Sequence, residues 1–458
     1  MTDSPIPRAQ DAWSFNRRVW TLTLPIIATN VTVPLLGLVD TAVVGRLPGP
    51  EYLGAVAIGA VIMNVIYSSL NFLRMGTTGL TAQSYGAGDA DQIRSWLARA
   101  CILSVGLGLI LVALQVPILS LSQWVMGASE AVWPLTESYF QIRIWGAPAA
   151  LLNFALLGWF FGLQNVRAAL ITQIFLNGLN TVLDIWFVLG LDWGVDGVAY
   201  ATIISEYAAA LLGFKLAGAR LAKLGGQWRW DRIRDTSRLR RMLSVNGDIF
   251  FRSLMLQTAF VIFTSAGTRM GDEILAANAL LLQFTAFAAY ALDGFANAAE
   301  ALAGQAVGAG DRNLFRRAVK ATTIWSLIFA LMFVFAYWLA GVAIIDTLST
   351  VPEVRQTAYE YLPCLMVMPM IAVWSYQFDG VYIGATWTRE MRNGMAISLA
   401  IYAVALPFAV ETWGNHGLWA TFTLFLGLRG LTMGTMLPKM TRSVGAEQSP
   451  DARPPTHP

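Results

Sequence analysis

Apolar stretches follow one another almost without interruption along this chain, and that succession restricts its fold more than any motif does. Gly, Pro and charge clusters divide them into twelve segments, at about 20–44, 54–86, 96–121, 136–162, 168–191, 197–217, 243–267, 274–307, 318–345, 356–384, 394–411 and 417–438. Crossing the hydrocarbon core of a bilayer takes about 20 mostly apolar residues per helix. Only 13% of the 458 residues are charged, where a soluble domain carries about 25%, so there is too little polar surface to cover a water-soluble particle. The mean hydropathy of +0.55 agrees. The expected fold class is an all-α polytopic membrane protein with twelve transmembrane helices. The first stretch, from about Trp20 to Val44, is too long and too rich in Pro for a cleaved signal peptide and reads as a retained span.

An even number of spans puts both termini on one side, and the loops then sort by charge. One set holds eighteen basic residues between Arg94 and Arg392, while the opposite set holds only Arg46, Arg269 and Arg355 among seven acids. This is a strong positive-inside bias. It predicts cytoplasmic termini and a protein of the inner (plasma) membrane. The expected domains are an N-terminal tail 1–18 containing Arg8, Arg17 and Arg18, a six-helix lobe 19–219, a basic linker 220–241, a second six-helix lobe 242–438, and a disordered cytoplasmic tail 439–458. The linker interleaves its arginines with Trp228, Trp230, Ile233 and Leu239. That pattern suits either contact with anionic headgroups or a plain solvated connection.

The two lobes are copies. Adding 222 carries Gly45, Gly49, Glu51 and Leu53 onto Gly267, Gly271, Glu273 and Leu275. The same shift carries Gln83 and Gly86-Ala87-Gly88-Asp89 onto Gln305 and Gly308-Ala309-Gly310-Asp311, and Gly158, Gly162 and Arg167 onto Gly380, Gly384 and Arg389. Trp193-Gly194 and Gly197 match Trp413-Gly414 and Gly417 at an offset of 220. Six spans per copy keep the repeats parallel, related by a pseudo-two-fold axis near the membrane normal, an architecture suited to alternating access. The Gly-x-x-x-Gly pairs allow close helix packing in lipid, and most of the repeated glycines read as structural.

Charges inside spans are costly and mark ion pathways or paired networks. Counting from the oriented ends puts Asp40 and Asp184 in the outer part of the first and fifth helices, with Asn177 and Asn180 on the face of Asp184 and Thr202 at similar depth on the sixth. Two carboxylates, an amide and a hydroxyl at one level can bind a proton or a small cation, because neighbouring carboxylates in low dielectric repel. The plain alternative pairs these acids with Arg74 or Arg143 as structural glue. Pro25 and Pro34 make the first helix bendable. The second half holds Asp248, Arg252, Asp293, Glu300, Asp379 and Arg429, which read as an inner charged network or gate or as part of a binding site.

The stretches Leu24-Pro25-Ile26 and Leu38-Val39-Asp40-Thr41 with Gly45-Arg46 resemble the multidrug and toxic compound extrusion (MATE) transporters. Asn246-Gly247-Asp248, Tyr290-Ala291-Leu292-Asp293-Gly294-Phe295, Asp379-Gly380 and Leu428-Arg429-Gly430 resemble their DinF branch. The resemblance covers about residues 15–440. It implies two six-helix lobes exporting amphipathic or cationic organic compounds in exchange for H⁺ or Na⁺, with Asp40, Asn180, Asp184 and Thr202 as the ion-coupling site and Pro25 as the bend. The seventh-helix acid of the Na⁺-coupled NorM branch has no counterpart between Phe250 and Thr268, which favours H⁺.

The leading expectation is a secondary antiporter acting on small amphipathic molecules within membrane lipid. The alternative is a flippase for a lipid-like substrate. Residues such as Met63, Tyr139, Phe161, Met255 and Phe284 could line an adaptable cavity, though any one of them reads more readily as core or lipid-facing. No enzyme, cofactor or metal is expected, since the only histidines are His416 and His457 and the only cysteines, Cys101 and Cys364, lie far apart. A net charge of +3 gives no sign of nucleic acid, and a monomer is expected.

Overall fold

The computed structural model of the protein describes residues 12–445 apart from residue 128. Arg8, His457, most of the two expected tails and the side chain of Pro34 lie outside the described residues. Within them the chain is helical and contains no strand. Helix α1 is Ala12–Val44, α2 Pro50–Gly86 with a break at Asn71, α3 Ala90–Ala113 continued by Gln115–Met126, and α4 Trp133–Gly162. Then follow α5 Val166–Gly190, α6 Gly194–Leu224, α7 Thr236–Thr268, α8 Asp272–Gly308, α9 Arg312–Leu348 and α10 Pro352–Ala385. The last stretch, Thr388–Ser443, holds α11 (388–413) and α12 (415–443), divided at Gly414 where φ is +55°. Ten of these stretches are long and apolar enough to cross a membrane. Division of the last one and addition of α1 give the twelve spans expected.

Packing divides the chain inside helices rather than in loops. One unit is Ala28–Phe250; the other joins the residues up to Ile27 to those from Phe251 onward. The start of α1 belongs with the second lobe because Trp20 stacks edge-on against Phe295 and Trp325, and Arg18 donates to Gln305 Oε1 at 2.7 Å. The start of α7 belongs with the first lobe, where Phe250 meets Phe72 and Asn246 fits against Gly76.

The loop after α6 is held against the first lobe. Arg94 donates to the carbonyls of Leu221 and Gly225 at 2.8–2.9 Å, Arg99 to those of Arg232 and Ile233, and Arg232 pairs with Asp89 at 2.7 Å. A one-turn helix, Trp230–Ile233, forms there. Asp235 caps α7 by accepting from Ser237 and Arg238, and these hydrogen bonds hold its carboxyl below the usual range.

The repeat is visible in the contacts themselves. Gly158 and Gly162 of α4 press against the carbonyls of Arg74 and Thr78 of α2; Gly380 and Gly384 of α10 press against those of Ala296 and Glu300 of α8. All four pairs obey the offset of 222, and a Cβ at any of the glycines would overlap the opposing backbone. The turns after α2 and α8 match too. Gly88 (φ +71°) and Gly310 (φ +64°) take the left-handed conformation that glycine accepts without strain. Asp89 and Asp311 then cap the next helix by accepting from Gln92 and Leu314.

Candidate ion-coupling site

In the first lobe α5 delivers Asn180 and Asp184, both fully buried. Asn180 donates to Thr202 Oγ1 of α6 at 3.3 Å, and Thr202 in turn donates to the Val198 carbonyl. Directly after Asp184 the helix widens into a π turn, Ile185–Gly190. Such turns rotate the residues beyond them relative to an α-helix and recur at functional sites. Asp40 of α1 lies with its carboxyl within hydrogen-bonding reach of Asp184. Among the described residues no protein donor meets either oxygen of Asp184 or Oδ1 of Asp40. Two facing carboxyls can hydrogen-bond to each other only if one of them carries a proton. Asn177 stands one turn before Asn180 and accepts from Gln173 at 3.1 Å.

Beside the acids runs a structure that sequence reasoning did not assemble. Arg143 of α4 forms a two-pronged ion pair with Glu206 of α6, at 2.7 and 3.0 Å. The Tyr67 ring lies 5.5 Å from the guanidinium, and Tyr139 also reaches it. Two glycines make room: a Cβ on Gly59 would strike the Tyr139 ring, and one on Gly146 would strike both Arg143 and Glu206. Arg143 is therefore tied to Glu206 rather than directly to an aspartate, though its charge still acts on both Asp40 and Asp184. Arg74 donates to Asn71 Oδ1 at 3.3 Å.

In the second lobe Asp379 of α10 bridges Arg252 of α7 and Arg429 of α12, the latter at 2.7 Å. Asp293 of α8 is near enough that its charge acts on both arginines and on Tyr376. Two cations and two anions thus form a balanced cluster, buried except for the half-buried Asp293. Of the six residues expected in an inner charged network, these four lie together. Glu300 is buried two turns beyond Asp293 on α8, and Asp248 belongs to the other packing unit. Pro25, the expected bend, lies two residues before the point where α1 passes from one unit to the other. Met63, Tyr139, Phe161 and Phe284 are buried in the cores of their lobes. Among the described residues no group of three or more His, Cys, Asp or Glu could hold a metal ion.

Comparison with known proteins agrees with the two-repeat fold. The MatE family model matches the chain twice, at residues 25–186 and 249–410, once in each repeat. The chain is 44% identical to the DNA damage-inducible protein F of Escherichia coli over 430 residues, 92% of each protein. It is 23% identical to the multidrug export protein MepA of Staphylococcus aureus over 41% of its length. Its fold superposes on a Vibrio cholerae MATE transporter with a TM-score of 0.84 at 21% identity, covering 94% of this chain and 98% of that one. Twelve apolar helices in two repeats, matched repeat by repeat to one family, make this chain a member of the MatE family of membrane transporters, in the branch of DNA damage-inducible protein F.

Proposed function

We propose that the protein is an antiporter that exports amphipathic or cationic organic compounds in exchange for H⁺ rather than Na⁺. Its coupling site is Asp40, Asn180, Asp184 and Thr202. The carrying observation is the facing pair of carboxyls, Asp40 and Asp184: among the described residues no protein donor meets either oxygen of Asp184 or Oδ1 of Asp40. Loss of the shared proton leaves two like charges in low dielectric, which repel. Asp40 stands on α1 and Asp184 on α5 of the first lobe, so this repulsion acts on the packing of these two helices. The export of organic compounds rests on the relatives, among them a multidrug export protein. The loop charges favour cytoplasmic termini in the inner membrane, and the working unit is a monomer.

Everted vesicles test this reading. Adding a substrate from a panel of lipophilic cations should dissipate an imposed proton gradient, and Asp40→Asn should abolish the response while leaving protein levels unchanged. A response that survives in Asp40→Asn, or that follows an imposed Na⁺ gradient alone, would overturn the mechanism.

A further inference from the structure

A cleft of about 550 Å³ opens in the second lobe between α9 and α12, at the end of these helices that carries the basic residues. Its floor is apolar: Phe315 and Phe378 are buried beneath it, and Trp374 of α10 closes it. Val319 and Ile324 of α9 and Leu437 of α12 form the walls. Three cations stand around the mouth: Arg316 and Lys320, one turn apart on α9, and Arg442 near the end of α12. All three are exposed, and among the described residues no carboxylate lines the cleft.

We propose that this cleft is a binding site for an anionic phospholipid. The charges call for an anion. Among the described residues the three side chains make no hydrogen bond or ion pair; the one contact of Arg442 is through its backbone carbonyl, which accepts from Arg312. The neighbouring acid Asp311 is occupied in capping α9, where it accepts from Leu314 at 2.9 Å. Arg316 and Lys320 are like charges at i and i+4, an arrangement that disfavours the helix until an anion offsets it. The layering then selects the kind of anion. Cations at the helix ends stand over an apolar floor facing the hydrocarbon, which is the order of phosphate and acyl chains in a phospholipid. Basic pockets between transmembrane helices bind such headgroups. Between these layers, one turn below Lys320, the Thr323 hydroxyl is buried in the wall with no hydrogen-bond partner among the described residues, at the depth where a glycerol ester would lie. A free phosphate would use the rim alone; a lipid uses rim, hydroxyl and floor together.

The repeat supplies an internal contrast. Under the offset of 222, Arg316 corresponds to Arg94 and Lys320 to Ala98, so the first lobe lacks the second cation of the pair. Arg94 is already engaged with the Leu221 and Gly225 carbonyls and the Trp228 ring. In the first lobe the chain itself covers the basic end. In the second lobe the cations are left to the membrane.

The test uses the full chain purified in detergent and titrated with phosphatidylglycerol, with phosphatidylcholine of the same acyl chains, and with glycerol 3-phosphate as the headgroup alone. Bound lipid is counted by native mass spectrometry. Phosphatidylglycerol should bind at concentrations at least tenfold lower than phosphatidylcholine, and glycerol 3-phosphate should not compete. The triple variant Arg316→Gln, Lys320→Gln, Arg442→Gln should reduce the preference to within twofold. Val319→Trp, which fills the cleft from its wall and leaves every charge, should also lose the lipid while melting near the parent temperature. Arg389→Gln, at a helix end outside the cleft, should change nothing. Equal binding of the two lipids, or a preference that survives both the triple variant and Val319→Trp, would overturn the proposal. Competition by glycerol 3-phosphate would show a phosphate site and overturn it as well.

Discussion

Replacing Glu206 with Gln should destabilise the first lobe by about 3–5 kcal/mol, the range for removing one partner of a buried ion pair. The geometry supports that range. Arg143 and Glu206 are 7% and 6% exposed and joined by two charge-assisted hydrogen bonds of 2.7 and 3.0 Å. Once the carboxylate is gone, the guanidinium keeps only two tyrosines, Tyr67 with its hydroxyl at 3.4 Å and its ring, and Tyr139. Neither replaces an anion, and the new amide turns one of its own donors toward the cation. At about 2–4 °C per kcal/mol for a unit of roughly 200 residues, the melting temperature should fall by about 6–20 °C. The assay is thermal unfolding of the purified protein, run beside the double variant Arg143→Met, Glu206→Leu. Exchange of a whole buried pair for apolar groups of similar size is often neutral, so the double variant should recover most of the loss. A single-variant shift below 2 °C, or a double variant that falls as far as the two singles summed, would refute the assignment of a desolvated, mutually dependent pair. The double variant also separates stability from coupling. If it folds but no longer dissipates a proton gradient with substrate, the pair serves the acids beside it; if it folds and couples like the parent, its role ends at stability.

Gly158→Ala and Gly380→Ala each place a Cβ closer than 3.0 Å to a backbone carbonyl, so each should destabilise its lobe by about 1–3 kcal/mol by overpacking. Gly247→Ala, which meets nothing within 4 Å, should leave the thermal midpoint unchanged. In the second lobe Asn278 exchanges hydrogen bonds with Asn415 at 2.8 and 3.0 Å and accepts from Trp419 at 2.8 Å. Asn278→Ala strands both buried partners and should cost about 2–4 kcal/mol, more than Asn278→Asp measured at low pH, where the protonated acid can still accept and donate. At the start of α7 the Asp235 cap, with its carboxyl held below the ordinary 3.8, should protect the Ser237 and Arg238 amides above about pH 4 and release them as pH falls through the lowered value. Hydrogen exchange across that range reads it, and protection independent of pH would dismiss the cap.

What could be read from sequence alone was what local chemistry dictates. Span lengths follow from hydrocarbon thickness, and the repeat follows from identities such as Gly158 and Gly380. Asp40 and Asp184 were legible because depth can be counted from a helix end. The Arg143–Glu206 pair was not, since its partners lie 63 residues apart on different helices, and composition alone offers Arg143 several acids to choose from. Nor was the π turn after Asp184, because widening a helix by one residue per turn leaves no mark in the hydrophobic pattern. The division of α1 after Ile27 depends on rings 275 or more residues away meeting Trp20, which no window on α1 contains.

The contacts also explain how duplicated lobes came to carry different charges. Gly158 and Gly162 rest on the carbonyls of Arg74 and Thr78; Gly380 and Gly384 rest on those of Ala296 and Glu300. The partner contributes only its backbone, so the packing asks nothing of its side chain. An arginine in one lobe can stand where the other has alanine, and a threonine where the other has glutamate, without disturbing the helix crossing. By contrast, Asp40 and Asp184 correspond to Ile262 and Leu406, residues that join the apolar core of the second lobe. A scaffold fixed by glycine against backbone leaves each copy free to place its ionisable groups independently, and the two copies have done so: a facing acid pair in the first lobe, and a balanced cluster of two arginines and two aspartates in the second.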